Sequence, residues 1–229
     1  MRMKKIMGMD EAGRGPVLGG LFIGGVVFIE DFLPTLETSE INDSKKLSPA
    51  KREKLYDFIV ENCSSYSVTE ITNVRIDENS QNHGSLNDLE IEAMANLILE
   101  LAPDVVYIDA LGHNLDNFKK KLKSIIQSQR NYTPEIITEH KADEKFKVVG
   151  AASILAKVQR DRSISEYSKD FVKYGGIGSG YPSDEKTITF LRKYIEKNHK
   201  PPEIARHSWQ TCKNLMNDLV NQKKLDEFF

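Results

Sequence analysis

Seven consecutive residues, Asp10-Glu11-Ala12-Gly13-Arg14-Gly15-Pro16, concentrate more chemistry than any other stretch of the chain. They follow the apolar run Ile6-Met7-Gly8-Met9, so the acid pair closes a predicted strand. Adjacent acids there are costly unless a cation offsets them, and hard divalent ions take carboxylate oxygens. Gly13 and Gly15 leave backbone that a ligand can approach closely. Arg14 offers a fork of donors suited to phosphate or a base edge, and Pro16 stiffens the exit. Two further acids sit in comparable places. Asp109 ends the run Val105-Val106-Tyr107-Ile108, and Asp143 precedes a helical pattern. If the strands ending in Asp10 and Asp109 are parallel neighbours, both carboxylates leave one sheet edge, where open sheets bind ligands. Asp10, Glu11, Asp109 and Asp143 would then hold two divalent ions about 3.5–4 Å apart, one activating a water and one stabilising the leaving oxygen. Mg²⁺ suits an all-carboxylate shell completed by substrate phosphate. Plainer readings stay open at this point: a charged turn for the acid pair, a strand-end cap for Asp109, a helix N-terminal acid for Asp143. No spacing rule joins the four.

The elements that must position these residues alternate between strand and helix. Lys4 to Met9 and Gly19 to Ile29 read as strands, and the short link between them predicts an antiparallel pair. Asp31 to Glu40 reads as a loop. Ser48-Pro49 opens a helix to about Glu61, with serine as cap and proline at the first helical position. Tyr66 to Thr72 reads as a strand and Asp77 to Gly84 as turn chemistry. Ser85, with Asp88 after it, opens a helix whose apolar stripe holds Leu89, Ala93, Leu97 and Leu101. Val105 to Asp109 is a buried-strand run, Asn114 to Gln127 a lysine-rich helix, and Glu135 to Thr138 a short strand. Val148 to Arg162 is helical, and its alanines would let it sit close to a sheet. A glycine-rich loop, Gly175 to Gly180, leads to Tyr181-Pro182. It lacks a preceding strand and a following Lys-Ser/Thr, which excludes a nucleotide-binding P-loop. Ser183 caps the next helix, and a last one runs from roughly Glu203 to Leu219. This mixture argues for an α/β or α+β core.

Composition sets the class. At 229 residues the chain buries a sizeable core. A net charge of -2 excludes a basic nucleic-acid coat, so any nucleic-acid binding comes from local patches and from metal neutralising the acids. Cys63 and Cys212 make neither a disulfide framework nor a zinc spacing. No run reaches the length of a membrane span or a signal peptide, and a cytoplasmic monomer is expected.

The stretch from Asp10 to Pro16 resembles the opening signature of ribonuclease HII, the type-two ribonucleases H. Further segments match that family in order: Asp43-Ser44-Lys45-Lys46-Leu47-Ser48, Tyr107-Ile108-Asp109, His140-Lys141-Ala142-Asp143, the run from Ala151 to Val158, and Gly178-Ser179-Gly180-Tyr181-Pro182. The match covers about residues 5 to 210, with wording more archaeal and eukaryotic than bacterial. The resemblance implies a ribonuclease H-like mixed sheet flanked by helices, with a C-terminal helical appendage. It implies endonucleolytic cleavage of RNA paired to DNA and incision 5′ to single ribonucleotides embedded in duplex DNA, leaving a 3′-hydroxyl and a 5′-phosphate. It carries the metal-binding role to Asp10, Glu11, Asp109 and Asp143, with two Mg²⁺ or Mn²⁺ ions. Ribose reading falls to Gly13, Arg14 and Gly15, which would sense the 2′-hydroxyl that separates RNA from DNA. Tyr181 matches the junction-sensing tyrosine; taken alone it is a loop tyrosine packed on glycines. Ser44, Lys45 and Lys46 would hold backbone phosphates, which positions a duplex without reading sequence. Lys157, Arg160 and Arg162 either extend that basic track or form the wet face of their helix, and the wet face is the favoured reading.

The tail is the second informative stretch. Gln222, Leu225, Phe228 and Phe229 have the spacing of the peptide that docks on sliding clamps, and resemble the clamp-binding box of archaeal and eukaryotic replication proteins. The alternative is that the phenylalanines fold back onto the core. The expected organisation is a catalytic domain over 1–182, a helical subdomain over 183–221 and a clamp-binding tail over 222–229. The rival to the enzyme is a non-catalytic, clamp-tethered adaptor that binds hybrid duplex.

Overall fold

The computed structural model describes residues 2–41, 47–109 and 114–226, with side chains to 221. Five strands make one mixed sheet in the order β3-β2-β1-β4-β5. They are β1 (Lys5–Ala12), β2 (Leu21–Ile29), β3 (Ser65–Ile71), β4 (Val105–Asp109) and β5 (Glu135–Glu139). β1 pairs antiparallel with β2, as the short link predicts, and parallel with β4, which in turn runs parallel to β5. The helices are α1 (Leu33–Glu37), α2 (Pro49–Asn62), α3 (Asn73–Gln81), α4 (Leu86–Leu101), α5 (Leu115–Gln129), α6 (Ala142–Lys145), α7 (Lys147–Asp170), α8 (Glu185–Asn198) and α9 (Gln210–Asp226).

Two compact units divide the chain. Unit one comprises Met1–Ala12, Phe22–Ile71 and Asn87–Gln159; unit two comprises Gly13–Leu21, Thr72–Leu86 and Arg160–Phe229. In unit one, α2 and the first half of α7 cover one face of the sheet, burying Val26, Phe28, Ile59, Val149, Ala152 and Leu155. On the other face a Cβ on Gly25 would lie 2.5 Å from Cε of Met7 and 3.3 Å from Cδ1 of Leu101 in α4. Two glycines decide how close α7 comes. A Cβ on Gly8 would lie 1.9 Å from the carbonyl oxygen of Val148, and one on Gly24 would lie 2.5 Å from that of Ala152. Helix backbone therefore rests directly on strand backbone, and Ala151, Ala152 and Ala156 of α7, all fully buried, keep it there. In unit two, Val17, Leu18, Ile164, Ile177, Phe190, Leu191 and Ile195 form a separate core joined by Trp209, Cys212 and Leu215.

Several sequence expectations need correction. Asp77 to Gly84 is not all turn: α3 occupies Asn73–Gln81, capped by Thr72, whose hydroxyl accepts from the Arg75 amide at 3.2 Å. Polar residues hide this helix because it buries only Asn73 and Ile76. Asn73 earns its burial by donating to the carbonyls of Glu203 and Ala205, at 2.7 and 3.1 Å. Part of the expected loop after Asp31 is helical as α1. Asp184, not Ser183, caps α8, accepting from the Lys186 amide at 3.0 Å. The last helix starts at Gln210 rather than near Glu203, because Asn73 and the 17–19 segment take the backbone groups around 203–206. Ser48 caps α2 as expected, accepting from the Lys51 amide at 3.3 Å. No helix among the described residues is long and apolar enough to cross a membrane.

Candidate active site

The acids sit in unit one: Asp10, Glu11 and Asp109 toward the carboxyl ends of β1 and β4, and Asp143 in the helix that follows β5. Met9 and Ile108 are register partners in the parallel β1–β4 pair, so Asp10 and Asp109 come next, side by side and on the same face. β5 lies beside β4, with Asp109 opposite Glu139, and the chain then turns through Lys141 at φ 56° into α6, which carries Asp143 in its first turn. A carboxylate oxygen of Asp109 accepts the backbone N–H of Ala142 at 3.1 Å, which ties the end of β4 to the start of α6. The register thus joins Asp10 to Asp109, and this hydrogen bond joins Asp109 to the residue before Asp143. Glu11 follows Asp10 on β1 and is half-buried.

Asp10 and Asp143 are each only 4% exposed. Burial, with a smaller push from the neighbouring Asp109 charge, raises the Asp10 carboxyl to about 6. A hydrogen bond from Ser153 and the charge of Lys157 pull the other way. Those two residues lie one turn apart on α7, and the Lys157 ammonium donates to the Ser153 hydroxyl at 2.7 Å. The close seating of α7 on Gly8 and Gly24 is what brings this pair to Asp10. The sequence reading gives Ser153 no role, since a serine in an alanine-rich helical face carries no signal of its own.

The donor set fits a hard divalent ion. Every candidate ligand is a carboxylate, burial makes the charge on one of them costly, and a cation would offset that cost. Among the described residues, no three His, Cys, Asp or Glu side chains are already grouped as a ligand set.

The loops that carry Gly13, Arg14, Gly15 and Tyr181 lie in unit two and are joined by hydrogen bonds. Gly13 has φ +104°, a conformation that favours glycine, and a Cβ there would lie 3.0 Å from the Gly20 carbonyl and 3.3 Å from Cδ of Arg160. A Cβ on Gly15 would meet only the Tyr181 ring, at 3.6 Å, an ordinary contact. Packing therefore does not demand glycine at 15, whereas close approach by a ligand would. The amides of Val17 and Leu18 both donate to the Gly180 carbonyl, at 2.8 and 3.2 Å, joining this loop to the one that carries Tyr181. Asp184 and Thr187 pin the second loop, accepting the amides of Ser179 at 2.7 Å and Gly180 at 3.0 Å. Hydrogen bonds from Ser179 hold the Asp184 carboxyl below its ordinary value.

Arg160 overturns the expectation of a wet face. It is 7% exposed, donates through Nη2 to the Ser179 carbonyl at 2.6 Å, and places its guanidinium 4.7 Å from the centroid of the Tyr181 ring. Arg162 is exposed, as a wet face requires. Tyr181 is 37% exposed. Ser44, Lys45, Lys46, Phe228 and Phe229 lie outside the described residues, as do the side chains of Gln222 and Leu225. His207 is structural: its ring meets the Pro202 carbonyl at 3.1 Å and its amide donates to Asp77 at 2.7 Å.

A mixed sheet in this order, with acids toward the ends of two neighbouring strands and in the helix after a third, is the architecture of a ribonuclease H-like hydrolase. Residues 7–212 match the family model described as Ribonuclease HII. The chain is 44% identical over 234 aligned positions to the ribonuclease HII of Thermococcus onnurineus, covering 98% of this chain and 99% of the relative. It resembles the crystal structure of ribonuclease H2 from Pyrococcus horikoshii with a TM-score of 0.85 and 37% identity, covering 94% of this chain and 99% of that one. Ribonuclease HII of Archaeoglobus fulgidus, solved in complex with PCNA, follows with a TM-score of 0.78 and 36% identity, covering 92% and 96%. The chain belongs to the ribonuclease HII family, metal-dependent enzymes that cleave the RNA of RNA/DNA hybrids.

Proposed function

We propose that this enzyme also incises duplex DNA at single embedded ribonucleotides, cutting on their 5′ side to leave a 3′-hydroxyl and a 5′-phosphate. The observation that carries the reading is the strand register that sets Asp10 beside Asp109 at the carboxyl ends of parallel neighbours. Two Mg²⁺ or Mn²⁺ ions held by Asp10, Glu11, Asp109 and Asp143 would supply Lewis-acid activation of the attacking water and of the leaving oxygen. A set of like charges closes around such ions only when they are present, since the carboxylates otherwise repel. Ser153 and Lys157 pull Asp10 toward its ionised form against burial, and the Ala142 amide aims Asp109.

Gly13, Arg14 and Gly15 read the ribose. The chain passes from the acid pair to this reader through Ala12 alone, and Gly15 leaves space that packing does not require. Tyr181, stacked on Arg160 beside Gly15, senses the sugar at the junction. Ser44, Lys45 and Lys46 hold phosphates of the duplex. Incubation with a duplex carrying one ribonucleotide and Mg²⁺ tests this. A single cut 5′ to that nucleotide, abolished by chelator, is expected. Cleavage confined to longer RNA runs would overturn the single-ribonucleotide reading, and tight hybrid binding without any cleavage would favour the adaptor.

Gln222, Leu225, Phe228 and Phe229 dock on a sliding clamp. The support is their spacing in the sequence and a relative solved in complex with PCNA. Deleting Phe228 and Phe229 lowers affinity for a trimeric clamp by about tenfold or more, as removal of aromatic anchors does, and leaves hydrolysis of a free oligonucleotide unchanged. Clamp affinity that survives the deletion would show that the tail does something else.

A further inference from the structure

Arg206 is the largest fully buried side chain among the described residues, and no part of it reaches solvent. A buried guanidinium is costly unless its donors are met. Here they meet backbone. Nε donates to the carbonyl of Gly19 at 2.9 Å, Nη1 to that of Arg14 at 3.1 Å, and Nη2 to those of Gly13 at 2.7 Å and Gly20 at 2.9 Å. The Trp209 ring lies 4.9 Å from the guanidinium carbon. The backbone of Arg206 is fastened to the same loop. Its amide donates to the Val17 carbonyl and the Gly19 amide to the Ile204 carbonyl, both at 2.8 Å, around an antiparallel Leu18–Ala205 bridge.

The geometry of the peptide unit gives this clasp a consequence. The chain has no cis peptide among its described residues. A planar trans peptide carries its C=O and the following N–H on opposite sides. With the carbonyls of Gly13 and Arg14 turned onto the guanidinium, the N–H groups of Arg14 and Gly15 must face away from it. Two consecutive N–H groups turned the same way can converge on one oxygen.

We infer that Arg206 is a positioning residue for ribose recognition: it locks the peptide planes of Gly13–Arg14–Gly15 so that their donors are aimed before substrate arrives. The inference rests on the reading of that tripeptide as the ribose reader. Arginine is required because only its rigid fork of five N–H donors spans four carbonyls at once; an ammonium has three donors on a flexible stem. A loop held ready in this way loses less freedom on binding, so its contribution falls on the ribonucleotide and not on duplex in general.

The test is the ratio of affinities for a duplex with one ribonucleotide and the same duplex in DNA alone. It is measured by fluorescence anisotropy on the full chain, with chelator present to prevent cleavage. Arg206→Lys is expected to lower that ratio by about tenfold, the loss that follows from misaimed charge-assisted positioning, and to change all-DNA affinity by about twofold or less. Gly15→Ala, which fills the reader itself, reports on the underlying reading. A ratio that falls in both variants supports the inference. If Gly15→Ala lowers it and Arg206→Lys does not, the inference is overturned and the reader stands. If neither lowers it, or the unaltered chain shows no preference, the reader falls and this inference with it. An equal loss on both duplexes in Arg206→Lys makes Arg206 a fold residue only and also overturns it. Should Arg206→Lys fail to fold by circular dichroism, Trp209→Leu loosens the guanidinium while leaving its donors in place, and the same ratio decides.

Discussion

Asp10→Asn abolishes hydrolysis yet stabilises the metal-free protein. The loss of activity is expected to be at least about a thousandfold, because removing one charged ligand of the proposed metal site would forfeit several kcal/mol of transition-state stabilisation. The gain in stability follows from burial. The Asp10 carboxyl titrates at about 6 in the fold against an ordinary value of 3.8. A raised carboxyl favours the neutral form, so its contribution to stability is complete below pH 4 and is lost as pH rises through about 6. At pH 7.5 the ionised Asp10 then costs the metal-free fold roughly 3 kcal/mol, which asparagine does not. Thermal melts in chelator at pH 4 and pH 7.5 check this: the variant gains at the higher pH alone. Equal stability of the two proteins at pH 7.5 would mean that Asp10 is not under the strain that a metal would relieve. Hybrid binding by the variant is expected to remain measurable, since the proposed ribose reader is made of other residues.

Gly8→Ala is expected to be the most damaging single methyl in the molecule. The added carbon would lie 1.9 Å from the carbonyl oxygen of Val148, 2.2 Å from its carbonyl carbon and 2.7 Å from the Val149 nitrogen. All three are backbone atoms of α7, so no side-chain rotation relieves the overlap and the helix itself must shift. A cost above about 3 kcal/mol, at or beyond the upper end for overpacking, is expected in a denaturant titration. If the variant folds, α7 is displaced and Ser153 and Lys157 leave Asp10, so activity falls with stability. Gly24→Ala is the milder companion, with its carbon 2.5 Å from the Ala152 oxygen. A Gly8→Ala protein with unchanged stability would contradict the close seating of α7.

The strands and the acids at their ends are legible in the sequence because the signals are local. Ile6 to Met9 and Val105 to Ile108 are apolar runs, and each stops at an acid. The alanines of the run from Ala151 to Val158 announce a helix that lies close to something, but not that Gly8 and Gly24 are what it lies on. What escapes the sequence is polar structure satisfied over long range. α3 reads as a turn because its residues are hydrophilic and its contacts, Asn73 with the carbonyls of Glu203 and Ala205 and Asp77 with the amides of His207 and Ser208, have no periodicity. Arg160 reads as solvated, and Arg206 as nothing at all, because a buried arginine is recognised only by the carbonyls that surround it. Arg160 holds the loop at Ser179 and Arg206 the loop at Gly13 and Arg14, so the structure least visible in the sequence is the part that fixes these two loops.

The most direct measurement is anomalous diffraction from crystals of the unaltered chain soaked in Mn²⁺. A peak within about 2.0–2.2 Å of carboxylate oxygens of both Asp10 and Asp109, the spacing of hard divalent ions, is the predicted result. Peaks that leave either carboxylate unligated, or that bind elsewhere on the molecule, would contradict it.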